Sequence, residues 1–325
     1  MPNVLIHGAT GAIGNTFAQH LVRSGNHTVY GIARSEEKAR SLAALEIHPV
    51  VCADPLNEPK AWLDVLRSAR IDVVVDAASY YHETLKVLEH VKAFGKERIT
   101  TAQQADVVVP QKIGFIYVSG MWVHGDSMKK ISDVDPVGVS SAPTPPVEIV
   151  TARPGWEQAI LKSNDVLDVA IARPAMVYGG NSWILSPLFG PIHNAKGASS
   201  VQVPATETSW PSFVHVDDLA AGMQGILERL PMLAGSNAYP MFDFSTSQEK
   251  LAEVVRAAAT SFGYQGKLEF AGPGDNGFFK AMNTSLNFDN SRAKMLLGWQ
   301  PKRIGIMANM DTYVVAWKAH QEKSG

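Results

Sequence analysis

The sequence predicts an α/β protein built on a doubly wound parallel sheet, and three observations carry that prediction. A short apolar run, Val4-Leu5-Ile6, opens the chain and is followed by Gly8, Gly11 and Gly14 at three-residue spacing. Similar apolar runs recur at Asp72–Ala78 (DVVVDAA), Gly114–Ser119 (GFIYVS) and Val166–Ala172 (VLDVAIA), as strands buried on both faces should read. Stretches with helical character separate them, and strand–helix alternation of this kind builds a parallel sheet by crossover connections.

Length and composition bound the possibilities. At 325 residues the chain has material for one large domain or two modest ones. With 46% hydrophobic and 18% charged residues it is ordinary for a globular protein and unlike a disordered one. A formal net charge of −2 gives no electrostatic ground for a nucleic-acid or anionic-membrane partner. Cys52 is the only cysteine, so no intrachain disulfide forms and a reducing, cytoplasmic compartment is the expectation. No signal peptide is expected before the first strand, and no apolar run is long enough for a membrane span. The ten histidines show no HxH or HExxH spacing, so no metal site is expected.

Taken in order, the glycine turn after Val4–Ile6 leads into a helix predicted over Asn15–Arg23. In that context glycines let the backbone approach a pyrophosphate, and the helix N-terminus offers free N–H groups to its charge. Gly8, Thr10, Gly11, Ala12, Ile13 and Gly14 are therefore the candidate dinucleotide cradle; a tight turn without a ligand is the plainer reading. His27–Arg34 reads as the second strand. The acid that would bond a ribose 2′-OH is missing from its end, and Arg34 stands there with Lys38 and Arg40 behind. A planar guanidinium suits a 2′-phosphate, so the residues favour NADP(H) over NAD(H) as cofactor. The alternative is a solvated helix start in which Glu36 and Glu37 pair these charges.

Further on, Leu42–Leu45 reads as helix and Pro49–Cys52 as strand, with Asp54-Pro55 as a turn or cap. A helix is predicted over Lys60–Ala69, and Tyr80, Tyr81 and His82 follow the strand at Asp72–Ala78. Asp126–Val150, with Pro136, Pro143, Pro145 and Pro146, reads as one long irregular stretch, either a lid or a surface loop. Arg153–Lys162 is predicted to be helical, with Pro154 in its first turn. Asp217 and Asp218 read as caps of a helix that follows Ser212–Val216, and Gly298 as the stop of a helix beginning near Asn290.

Five segments together resemble the extended branch of the short-chain dehydrogenase/reductase superfamily, the NAD-dependent epimerase/dehydratase-like enzymes. They are GATGAIG at Gly8–Gly14, SGMWVHG at Ser119–Gly125 (against SSxxVYG), RPAMVYG at Arg173–Gly179 (against RPxxVYG), SFVHVDDLAAG at Ser212–Gly222 and NSRAKMLLGWQPK at Asn290–Lys302. The resemblance implies a Rossmann-type domain over residues 1–180, with 212–245 returning to it. It implies a smaller C-terminal substrate-binding region over 181–211 and 246–325. It places Asp54 at the adenine, Ala77, Ala78 and Ser79 in the turn facing the cofactor, and Pro174 and Val177 beside it. Family members are often homodimers; the residues themselves do not fix an oligomeric state.

The departures from that pattern concern the chemistry. The family's YxxxK pair, counted back from Glu157, falls on Ile149 and Arg153, and no tyrosine lies between His124 and Trp156. In the resembled enzymes the tyrosine, with a phenol pKa lowered from ~10 by the lysine, moves a proton at the substrate oxygen while hydride moves at the nicotinamide. Arg153, with a pKa above ~12, is no proton donor but can steady an oxyanion or the cofactor. Gly120 takes the place of a serine, leaving Ser119 one position earlier, and His124 takes the place of a tyrosine. His124, Ser119, Tyr80 and Tyr81 are the candidate replacement acids, His124 first because an imidazole titrates near ~6.5. Three readings follow: an NADP(H)-dependent oxidoreductase with a relocated acid; a non-redox dehydratase, isomerase or cyclase; and a silent NADP-sensing regulator. The first is favoured. Trp183, Phe189, Phe278, Phe279 and Met282 suggest a small apolar or aromatic carbonyl or alcohol as substrate, although core packing predicts the same residues.

Overall fold

The computed structural model describes residues 1–324 apart from Ser79, Tyr81, His82 and Asn237. In chain order its first half comprises β1 (Asn3–His7), α1 (Ala12–Ser24), β2 (Thr28–Ala33), α2 (Glu36–Ala43), β3 (His48–Val51), α3 (Lys60–Ser68), β4 (Val73–Asp76), α4 (Thr84–Gln104), β5 (Ile113–Val118) and β6 (Ser127–Ser132). There follow α5 (Arg153–Leu161), β7 (Leu167–Pro174), β8 (Met176–Tyr178), α6 (Ser186–Asn194), β9 (Ser200–Val203), β10 (Ser212–His215) and α7 (Val216–Gly235). The last stretch holds β11 (Met241–Phe244), β12 (Ser247–Gln248), α8 (Leu251–Phe262), β13 (Lys267–Phe270), α9 (Gly277–Met282), β14 (Leu286–Asp289), α10 (Ser291–Leu297) and α11 (Met310–Ser324).

A seven-stranded sheet in the order β11-β7-β5-β4-β1-β2-β3 confirms the doubly wound α/β class. The pairs from β3 through to β7 are parallel. β1 and β4, at its centre, bury nearly every residue. A parallel strand covered by helices on both faces has no wet side, so the apolar runs read in the sequence are continuous rather than alternating.

Two compact units divide the chain: residues 1–119, 152–172 and 220–242 form the first, and residues 120–151, 173–219 and 243–325 the second. This division places 120–151, 173–180, 212–219 and 243–245 in the second unit, where the boundaries drawn on family resemblance put them with the first. Each unit has its own core. In the first, Leu5, Val74, Phe115 and Val169 from the sheet pack with Trp62, Leu66, Val87 and Val91 from α3 and α4. In the second, Phe213 and Tyr178 pack with Leu188, Phe189, Val254 and Trp317.

Several boundaries differ from the sequence expectations. α1 starts at Ala12, three residues early, because Gly11 already serves as its extended N-cap and Gly14 lies inside the first turn. α2 spans Glu36–Ala43 rather than Leu42–Leu45, since Ser35 caps it by accepting a 3.3 Å hydrogen bond from the Lys38 N–H. The stretch Asp126–Val150 is not wholly irregular: Ser127–Ser132 is a strand paired in parallel with β14. Its sequence SMKKIS hid this, because of the six only Ile131 is buried. Asp217 and Asp218 also do not cap α7, which begins before them at Val216. The buried Asp218 carboxylate instead accepts from the N–H groups of Lys302 and Arg303 at 2.8 and 2.9 Å, and Asp217 lies 3.2 Å from the Arg303 guanidinium.

Candidate dinucleotide and active site

The glycine turn between β1 and α1 has the properties a dinucleotide needs. Gly8 adopts φ +78°, a region that L side chains avoid, and a Cβ there would lie 2.7 Å from the Ala77 carbonyl. A Cβ on Gly14 would collide with the Gly8 carbonyl oxygen. The turn is thus pressed against the Ala77–Ala78 backbone after β4, and the Ala77 N–H completes the contact by donating to the His7 carbonyl at 3.1 Å. No side chain caps the N-terminus of α1, and its first turn contains no acid. Free N–H groups and an uncompensated positive dipole end suit a pyrophosphate, so these residues fit the group that the motif implies.

At the end of β2, Arg34 is exposed and forms no ion pair among the described residues; Glu36 and Glu37, in the first turn of α2, do not pair with it. Its guanidinium lies 6.0 Å from the centroid of the Tyr80 ring. Lys38 is exposed on α2. Asp54 is held within its own turn: its carboxylate accepts from the Leu56 and Asn57 N–H groups and from the Asn57 side chain at 2.8–3.1 Å. The Asn57 bonds hold its carboxyl below the usual range. Thr10, Ala12 and Ile13 sit half-buried around the turn. Ser79 lies outside the described residues, as does the candidate acid Tyr81 with its neighbour His82.

Ser119, which follows β5, donates a 2.6 Å hydrogen bond to Oε1 of Glu157 on α5, and Glu157 is fully buried. Arg153 opens α5 and, with Tyr117, belongs to the first unit; its charge acts on the Tyr117 phenol, which burial pushes up to about 12. Tyr80 is no better placed as an acid. Its hydroxyl meets Nδ1 of His7 at 3.1 Å, and burial drives the phenol well above its ordinary value.

His124 belongs to the second unit and is buried, with Nε2 3.0 Å from Oδ2 of Asp243 and 3.3 Å from Nη1 of Arg173. Its ring also meets Phe288 edge-on at 5.2 Å. The histidine singled out as the leading acid is therefore a member of a buried charged cluster. Pro174 and Val177 are buried in the same unit. Ile149 is 45% exposed on a short 3-10 turn and abuts Gly277. Of the apolar residues proposed for substrate, Phe189 and Met282 belong to the core, whereas Trp183 is 60% exposed and stacks on Phe278 at 5.2 Å.

The family model for the NAD dependent epimerase/dehydratase family matches residues 4–237. The chain belongs to that family. Several solved structures share the fold at low sequence identity. A dTDP-glucose 4,6-dehydratase from Bacillus anthracis, in complex with NAD, aligns with a TM-score of 0.72 at 14% identity, covering 99% of this chain and 98% of its own. The UDP-glucose-4-epimerase of Stenotrophomonas maltophila with bound NAD gives 0.70 at 17% identity over 100% of both chains. The UDP-glucuronic acid 4-epimerase of Bacillus cereus gives 0.66 at 17% identity, over 98% of this chain and 99% of that one. No curated protein matches the sequence. Among the described residues no cluster of side chains could hold a metal ion, and no helix is long and apolar enough to cross a membrane.

Sequence reasoning missed the polar row His7, Asp76 and Tyr117, three buried residues at facing register positions on β1, β4 and β5. A signal existed: both VLIH and VVVD end an apolar run on a polar residue.

Proposed function

We propose that this family member binds NADP(H) and moves hydride between the nicotinamide and a small apolar or aromatic carbonyl or alcohol. The observation that carries the reading is the open glycine turn of α1 in the same unit as Arg34 at the end of β2, which forms no ion pair among the described residues. In this reading the turn takes the pyrophosphate, and Arg34 with Lys38 takes the 2′-phosphate. The bound nicotinamide supplies the hydride acceptor or donor.

The proton passes through Ser119 in place of a tyrosine. The Ser119 hydroxyl hydrogen already points to Glu157, so its oxygen is free to accept from a substrate alcohol. As the alcohol is oxidised, its proton moves to Oγ of Ser119 while the serine proton moves to Glu157; reduction runs the relay backwards. Arg153, in the same unit as Ser119 and Glu157, lends fixed positive charge.

A second reading is favoured by the family and by the named neighbours: conversion of substrate with no net change in the nicotinamide, as in an epimerase or dehydratase. A panel of small aromatic carbonyls and of nucleotide sugars, followed both by nicotinamide absorbance and by product analysis, separates them. Absorbance change matching product supports net redox. Product without absorbance change favours the second reading.

A further inference from the structure

The second unit holds a cavity of about 560 Å³ whose lining residues all lie within that unit, whereas the glycine turn belongs to the first. Such a volume falls within the range of small-molecule sites. α6 and α8 end at this cavity, which His193 and Phe262 help to line, and β9 and β13 begin beside it. The two strands are tied there by a 2.8 Å hydrogen bond from the Lys267 N–H to the Ser199 carbonyl. Gly263, at φ 72°, stops α8 in the left-handed conformation and turns the chain along the cavity wall.

The walls combine aromatic rings with positive charge. Phe262 is half-buried and held edge-on by Phe189 and Trp317 at 5.7 and 5.8 Å, and the His193 ring leans on it at 5.7 Å. Lys196 is exposed and forms no ion pair among the described residues; Lys267 has only a loose one, 3.7 Å to Glu269. Lys318, on α11, adds a third cation, its Nζ 4.8 Å from the centroid of the Phe262 ring. No aspartate or glutamate is among the described residues that line the cavity. Rings and cations in one concave site suit a planar aromatic ligand carrying negative charge. The partly negative C-terminal ends of α6 and α8 oppose a dense anion such as phosphate, so a single carboxylate fits better. Two buried polar atoms in the same walls lack hydrogen-bond partners among the described residues: Nδ1 of His193 and the Tyr264 hydroxyl. Folds seldom leave such atoms unsatisfied. The Tyr264 hydroxyl lies against Gly266, where a Cβ would collide with it and stand 2.5 Å from the Ala198 carbonyl oxygen. The glycine thus makes room for a hydroxyl that the fold itself does not bond, and a small turn of the ring presents it to a ligand.

We propose that this cavity is a second ligand site, which takes a small planar aromatic carboxylate. The ring packs on Phe262 and His193, and the carboxylate accepts from Lys196, Lys267 and the Tyr264 hydroxyl. Binding is reversible and alters no covalent bond.

The test is calorimetric titration of the full chain with 2-naphthoate, beside the uncharged 2-naphthamide. Naphthoate should bind at one site per chain and naphthamide about tenfold more weakly or worse, and added salt should weaken only naphthoate. Lys196→Glu, at an exposed position, should weaken naphthoate about tenfold or more, whereas Lys60→Glu, an exposed change in the first unit, should not. Tyr264→Phe should weaken naphthoate about threefold or more without lowering the melting temperature, because the hydroxyl it removes bonds nothing in the unliganded fold. No naphthoate binding at millimolar concentration, equal affinity for the amide, or an affinity that survives Lys196→Glu overturns the site. A Tyr264→Phe protein that melts lower and binds naphthoate as tightly as the wild type overturns the part given to the hydroxyl. No nucleotide enters the titration, so its outcome is independent of the dinucleotide reading.

Discussion

Nε2 of His124 stands 3.0 Å from Oδ2 of Asp243, with both side chains closed off from solvent. Arg173, buried to the same degree, reaches the same imidazole nitrogen. Removing the imidazole takes a partner from the buried Asp243 carboxylate, whose other oxygen stays 3.9 Å from the Arg173 guanidinium. His124→Ala is expected to lose about 1–3 kcal/mol of stability, read by urea denaturation. A variant as stable as the wild type would show that the cluster does not depend on the imidazole.

The neighbours His7 and Asp76 should give opposite pH signatures. His7, lowered to about 3 in the fold, binds a proton only in the unfolded chain between pH ~3 and ~6.5, so its contribution to stability rises with pH across that window. Asp76, raised to about 7, holds a proton only in the fold between pH ~4 and ~7, so its contribution falls as pH rises. Each contribution amounts to a few kcal/mol, because a tenfold difference in proton affinity between fold and unfolded chain is worth about 1.4 kcal/mol. Together they largely cancel. Asp76→Asn should therefore make stability climb more steeply from pH 4 to 6.5, and the gain over wild type should be largest above pH 7. Equal pH profiles for the two proteins in chemical denaturation would contradict this.

A Cβ at Gly14 meets backbone, which has no rotamer to escape into. Gly14→Ala should destabilise the protein by about 1–3 kcal/mol and weaken dinucleotide binding at least tenfold, by distorting the turn. Gly155→Ala is the control: on α5, with nothing within 4 Å of the added methyl, it should be neutral or stabilise by up to about 1 kcal/mol. Thermal melts and nucleotide titrations on both variants check the contrast.

Ser119→Ala removes the hydrogen bond to a fully buried Glu157, at a cost of about 1–3 kcal/mol. If Ser119 and Glu157 relay the proton, Ser119→Ala and Glu157→Gln should each lower kcat by about a hundredfold or more while leaving nucleotide affinity within twofold. Steady-state kinetics read this. A kcat unchanged in the folded Ser119→Ala variant removes the relay.

The fold was legible in the sequence because β1, β4, β5 and β7 are buried on both faces and so carry uninterrupted apolar runs. β6 was not, since five of its six residues are left partly or fully exposed and its pairing with β14 depends on a segment more than 150 residues away. The glycine turn could be read because it needs particular φ values and close approaches. The chemistry was less legible. His124 gains its meaning from Asp243 and Arg173, and Asp76 from its register against His7 and Tyr117. Those partners are remote in sequence and obey no spacing rule. Nor could spacing show that Asp218 would hold the backbone at Lys302 and Arg303 rather than cap its own helix.

The central claim is the phosphate-bearing cofactor, and the most direct measurement is a titration of the purified protein with NADPH and NADH, wild type beside Arg34→Ala. Tighter NADPH binding is expected in the wild type, a preference that Arg34→Ala reduces by about tenfold or more while NADH affinity hardly changes. Equal affinity for the two nucleotides, or a preference that survives Arg34→Ala, would contradict it.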